Sequence, residues 1–207
     1  MSRTFADAAR WCAEGTRLFL ATAAKLGEDG YDRPTALPGW TRRHLVGHVA
    51  ANADALGNLV HWAATGVETP MYASPEERAA GIERGAAMSA EELQAWLSQS
   101  AERLAGAMER LTGEQWRRRV RTAQGRDVAA TEVPWMRARE VFVHAVDLDR
   151  GVAFADLPPG FLLALREEIR AKRGLDELPE GPLPEVAAWL AGRPHTLAGT
   201  PELGPWL

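Results

Sequence analysis

The sequence predicts a mainly α protein: a four-helix bundle carrying a short, mostly helical C-terminal appendage. Four long segments repeat apolar residues with the 3.6-residue period of one helix face. The links between them are short, as bundles require. Beyond residue 151 the composition shifts, and eight of the 13 prolines fall there. The chain therefore divides into residues 1–151, the bundle, and 152–207, the appendage.

The first helical segment, about residues 4 to 26, lines up Phe5, Ala8, Trp11, Phe19 and Leu26 on one side. The second follows the Pro38-Gly39 turn, with Thr41 as N-cap, and runs to about Ala64 before Gly66. A short helix comes next, with Ser74 as N-cap, Pro75 at its first position and Glu77 closing a capping box. The third long helix starts at Ser89, has Glu92 three residues on, and turns Leu93, Trp96, Leu97, Leu104, Met108 and Leu111 inward. "WRRRVRTAQGRDVAAT" breaks the helical period, and its Gly125-Arg126 turn predicts a small hairpin or extended loop. Its arginines, Arg117, Arg118, Arg119 and Arg121, read as a solvated face. "VPWMRAREVFVHAVDLDR" is the fourth long helix, stopped by Gly151. Two further helices, "GFLLALREEIRAKRG" and "PLPEVAAWLAG", precede an irregular tail expected to pack Trp206 on the bundle.

Composition excludes several classes of function. The 207 residues carry a formal charge of -4, with 25% charged and 46% apolar residues, so no global field favours nucleic acid or membrane. No apolar run reaches the roughly 20 residues of a membrane span. The N-terminus lacks the apolar core of a signal peptide. Cys12 is the single cysteine, which forbids an internal disulfide and fits the reducing cytoplasm. Beside Trp11 in a helical pattern it reads as a buried structural thiol, so the chain lacks an evident sulfur nucleophile of its own.

The residues able to do chemistry sit on inward stripes. On the second helix His48 aligns with Leu45, Asn52, Leu56 and Leu59 by steps of three and four. On the fourth, Met136, Glu140, His144 and Leu148 align by steps of four. Two imidazoles and a carboxylate pointed at a bundle core are a three-ligand set, and three ligands with an open fourth position is the catalytic pattern for zinc. A mutually hydrogen-bonded core pair is the competing reading. His44 also pairs with His48 at i, i+4, but it lies at the helix start beside Arg42 and Arg43 and reads as surface. Asn52 is placed to support the ligands, and Arg137 to brace Glu140, whereas Arg139 should point away.

Two segments, "LPGWTRRHLVGH" and "VPWMRAREVFVHAVDLDRG", resemble the signature segments of the mycothiol-dependent maleylpyruvate isomerase family. The resemblance covers about residues 5 to 151, and "AAWLAGR…GPWL" is similar to the family's ending. It implies a DinB-like four-helix bundle in which His48, Glu140 and His144 hold a divalent metal, usually zinc. It also implies that mycothiol, a low-molecular-weight thiol of actinobacteria, supplies the missing sulfur. Thiolate addition to the maleyl double bond, rotation and expulsion would turn maleylpyruvate into fumarylpyruvate, a step of gentisate-type aromatic catabolism. Arg78 and Arg193 match arginines near the family's active site, and a dicarboxylate substrate suits their planar forks. Many members insert strands between the last two helices; here only "AKRGLDELPEGPLP" joins them, so the C-terminal region is a reduced form. A metal-dependent mycothiol S-transferase acting on another electrophile, or a non-catalytic metal-binding bundle, would share the same triad.

Overall fold

Each long helix begins where a side chain can take the unpaired N–H groups of its first turn. In the computed structural model, which describes residues 3–204 and 206, Thr4 and Asp7 form a capping box for α1 (Phe5–Ala23). The single turn α2 (Glu28–Tyr31) leads to α3 (Arg42–Thr65). There the His44 ring takes the third box position: its Nδ1 accepts the Thr41 N–H at 3.3 Å and lies 2.7 Å from the Thr41 hydroxyl. His44 is thus half-buried rather than on the surface, and its ring is committed to the cap.

Ser74 caps α4 (Pro75–Ala86) by accepting the Glu77 N–H at 3.2 Å. The Glu77 carboxylate turns to Arg84 at 2.7 Å and leaves the expected box half-made. Ser89 and Glu92 complete a box at the start of α5 (Ala90–Glu109). The short α6 (Gly113–Arg117) leads to a hairpin of β1 (Arg119–Arg121) and β2 (Asp127–Ala129), with Val120 paired to Val128. Arg118 departs from the solvated reading, because its Nη1 donates to Ala63 O and Ala64 O and so caps the end of α3. The remaining helices are α7 (Val133–Asp147), α8 (Pro159–Arg173) and α9 (Leu183–Leu190).

Helices α1, α3, α5 and α7 close the bundle. α1 packs mainly on α7, α3 packs on both α5 and α7, and α1 meets α5 only slightly. α4 lies along α3, where Gly47 faces Gly85 so closely that backbones touch. The C-terminal helices share a core with α1 and α7, built on Trp11, Trp135, Phe142, Phe161 and Trp189. Phe5 is not inward as its spacing suggested. It is 42% exposed and packs edge-on against Trp116.

One polar knot fastens α8 to α7. The Glu168 carboxylate accepts from Trp135 Nε1 and Arg139, and from Lys172 Nζ at 2.5 Å. Burial pushes the Glu168 carboxyl up, but Arg139, Lys172 and Trp135 outweigh it and leave it below the ordinary glutamate range. A carboxyl depressed in the fold stabilises above its unfolded pKa of about 4.3 and loses that contribution as pH falls through the folded value. Glu168→Gln is therefore expected to flatten the loss of stability on acidification below about pH 4.3, read from urea midpoints across pH.

Gly85→Ala tests the helix crossing. A Cβ there would stand 2.9 Å from Gly47 Cα and 3.2 Å from Trp96. Overpacking costs about 1–3 kcal/mol, and the helix-propensity gain of about 1 kcal/mol offsets only part. The variant should melt several degrees below wild type.

Candidate metal centre

The inward stripes of α3 and α7 meet. His48 is buried between Leu45 and Asn52 on α3, and Trp40 packs edge-on to its ring at 5.4 Å. Across from it, Glu140 Oε2 lies 3.0 Å from His48 Nε2 and 3.3 Å from His144 Nε2. One ligand atom from each of the three residues falls within 4.8 Å of the others, an arrangement that could hold a metal ion.

The orientation of His144 comes from a chain of buried partners. Its Nδ1 lies 2.8 Å from Asp147 Oδ2, and a carboxylate can only accept, so Nδ1 carries the proton. Asp147 is gripped in turn by Arg193, with Nε at 3.0 Å and Nη2 at 2.7 Å, while Arg193 Nη1 donates to Ala191 O. His144 Nε2 is left buried with no hydrogen-bond partner among the described residues. An orphaned nitrogen beside a carboxylate and a second imidazole is satisfied most directly by a cation, so the residues fit a divalent metal.

The titration behaviour follows from burial working against partners. Burial pushes the Glu140 carboxyl up, but the two histidines outweigh it and hold it well below the usual range. For His144 burial lowers the pKa, and Asp147 with Glu140 reverses that to a net rise. His48 stays below its ordinary value because burial outweighs Glu140. Asp147 is also depressed: burial raises it, and His144 and Arg193 more than compensate.

The cluster opens into a cavity of about 500 Å³ that includes Tyr72, Arg78, Arg126, Arg139 and Lys172 in its walls. Arg139 and Lys172 are tied to Glu168, whereas Arg78 and Arg126 make no ion pair among the described residues. Arg78 stands 6.0 Å from the Tyr72 ring. Burial, reinforced by Glu140, raises the Tyr72 hydroxyl despite Arg78, so it is a proton donor at neutral pH.

Arg193 is absent from these walls, because its guanidinium is spent on Asp147. Nor does Arg137 brace Glu140. It crosses to α3, where Nη1 donates to Val49 O at 2.7 Å and Asn52 Oδ1 at 2.9 Å. Asn52 therefore supports the helix pair rather than a ligand. Arg139 does avoid Glu140, as its spacing suggested, but it is buried against α8. Spacing alone could have shown Asp147, three residues after His144. Arg126 and Lys172 come from the hairpin tip and α8, and no local pattern marks them.

A two-histidine, one-carboxylate cluster, with both histidines buried and with His48 and Glu140 lining an open cavity, defines a metal-competent helical-bundle protein with room for a small molecule. The family model of the mycothiol maleylpyruvate isomerase N-terminal domain matches residues 12–149, and the chain belongs to that family. It is 34% identical to a solved mycothiol-dependent maleylpyruvate isomerase, with a TM-score of 0.93 over 99% of this chain and 98% of that one. A histidine-to-alanine mutant of such an isomerase matches at 33% identity and a TM-score of 0.92, over the same shares. No curated protein sequence matches the chain.

Asp147→Asn keeps the shape and removes the charge behind His144. Calorimetric titration with a divalent metal is expected to show affinity about 10–100-fold weaker than wild type. Buried Arg193 loses its counter-ion as well, which should cost the metal-free protein about 3–5 kcal/mol.

Proposed function

We propose that this chain is a mycothiol-dependent cis-trans isomerase converting maleylpyruvate to fumarylpyruvate, with His48, Glu140 and His144 holding a zinc-like divalent metal. The observation that carries the reading is the orphaned, buried His144 Nε2 beside Glu140, which with His48 lines a cation-walled cavity. It is joined by full-length likeness to a solved mycothiol-dependent maleylpyruvate isomerase. When bound, the metal supplies the acidity that keeps a thiol as thiolate near neutral pH, and reversible thiolate addition supplies the single bond about which a cis double bond can turn.

The chain's own residues hold and sort the substrate. Maleylpyruvate is a dianion, and Arg78 and Arg126 are the two wall cations whose charge nothing else takes up. Arg78 is the candidate for bidentate grip on a carboxylate, and Arg126 meets the far end from the hairpin. Tyr72 keeps its proton and can donate to a substrate oxygen that gains charge during the reaction. Arg193 acts as a positioning residue, through Asp147, on the ring of His144. Residues 1–151 thus supply the metal ligands, and 152–207 supply this support and one wall of the cavity.

An external thiol is needed because the chain's own is inert. Burial pushes the Cys12 thiol up to about 11, far from the thiolate range at neutral pH. Dependence on a free low-molecular-weight thiol also suits the reducing cytoplasm.

Purified protein should contain about one divalent metal per chain by mass spectrometry, and His48→Ala and His144→Ala should lose it together with mycothiol-dependent conversion of maleylpyruvate. Metal-free wild type would sink the reading. A stable mycothiol conjugate in place of fumarylpyruvate would redirect it to an S-transferase. Arg78→Ala should raise KM for maleylpyruvate about 10–100-fold, the loss of one charge-assisted contact, and leave the metal content unchanged.

A further inference from the structure

A second cavity lies on the far side of α7 from the metal cluster's own cavity wall, where the bundle ring is incomplete. α1 and α5 face each other through Ala9 and Ala13 on one helix and Ala101 and Ala105 on the other. Side chains this small cannot interdigitate, and a cleft of about 560 Å³ remains, within the range of small-molecule sites. Small residues alone make only a gap. Among the residues that line this one, however, is buried Arg137.

Arg137 is 1% exposed and makes no ion pair among the described residues. Its hydrogen bonds run through Nη1 to α3, and its Nε is buried without a partner. Buried Arg139 and Arg193, by contrast, each have a carboxylate, Glu168 and Asp147. An arginine keeps its charge, and a buried charge calls for a counter-ion. The walls are mostly apolar, with Leu104, Met108 and Trp116, and exposed Glu102, Glu109 and Arg17 stand at the rim.

We propose that this cleft is a second ligand site, separate from the metal cavity, that takes a small apolar monocarboxylate with its carboxylate on Arg137. With two carboxylates against the single cation Arg17, the rim disfavours a dianion, and the apolar walls ask for an aromatic or aliphatic body. The cleft thereby selects a different acid from the one Arg78 and Arg126 would hold.

The test is calorimetric titration of the full-length protein with 2-naphthoate and, as the uncharged control, 2-naphthamide. The acid should bind at least about 10-fold more tightly than the amide, a difference of about 1.4 kcal/mol. Ala105→Trp, which fills the cleft from its exposed mouth and touches neither the metal cluster nor Arg137's bonds to α3, should abolish binding. Arg137→Gln, if it folds, should bring the acid down to the amide's affinity; if it does not, Ala105→Trp carries the test alone. Arg78→Ala should leave the titration unchanged. The proposal is overturned by absence of binding, by equal affinity for acid and amide, or by naphthoate binding that survives Ala105→Trp. It is overturned equally by binding lost in Arg78→Ala, which would put the acid in the metal cavity. Sedimentation completes the set: a dimer broken by Ala105→Trp would make a second copy of the chain the occupant and overturn it too.

Discussion

The Glu140 carboxylate, half-buried between His48 and His144, is the constraint on which the rest of the structure depends. Removing such a group from water is costly unless partners are fixed around it. The two imidazoles supply them, and they hang on different helices, so the contact also sets how α3 sits against α7. Nothing in local helix energetics specifies that pairing. It follows from one polar group that neither helix can bury alone.

The demand then travels outward. His144 can present Nε2 to the cluster because Asp147 holds its other nitrogen, and Asp147 can stay ionised because Arg193 grips it. Arg193 comes from the chain just after α9. That is a physical reason for the described part of the C-terminal region to fold back on the bundle, beyond its share of the apolar core. A second tie, Glu168 to Arg139 and Trp135, fixes α8 along the same helix. One tie grips α7 in its first half and the other at its last residue, so the C-terminal region acts as a clamp on the helix that carries two of the three candidate ligands.

Much of this was legible in the sequence, for definable reasons. His48, Glu140 and His144 lie on apolar stripes, and a helix turns stripe spacing directly into facing direction. The N-caps at Thr41, Ser74 and Ser89 act over three residues and can be read from them. Arg193 shows the limit. The family resemblance drew attention to it, but its partner lies 46 residues away, and only the fold reveals that it supports a ligand instead of facing the cavity. His44 and Arg118 were misread as solvated because local charge and polarity suggested water, whereas each meets an unpaired backbone group at a helix end. Phe5 failed differently. The apolar period continued to the helix start, but the core did not.

The chain is acidic overall, yet its metal-competent cavity is walled by four cations against one carboxylate. A net charge of -4 spread over a whole surface has little reach at physiological salt, where screening acts within about 8 Å. Inside a narrow cavity with apolar walls the local cations decide the field. Two of them, Arg139 and Lys172, share the single negative charge of Glu168, and Arg78 and Arg126, which make no ion pair among the described residues, are the two left open to the carboxylates of a dianion. A metal at the floor would add positive charge of its own, so the site favours an anion over a neutral electrophile before any shape is considered. Charge, more than cavity size, is therefore the feature of this site by which a dianion and a neutral electrophile would be told apart.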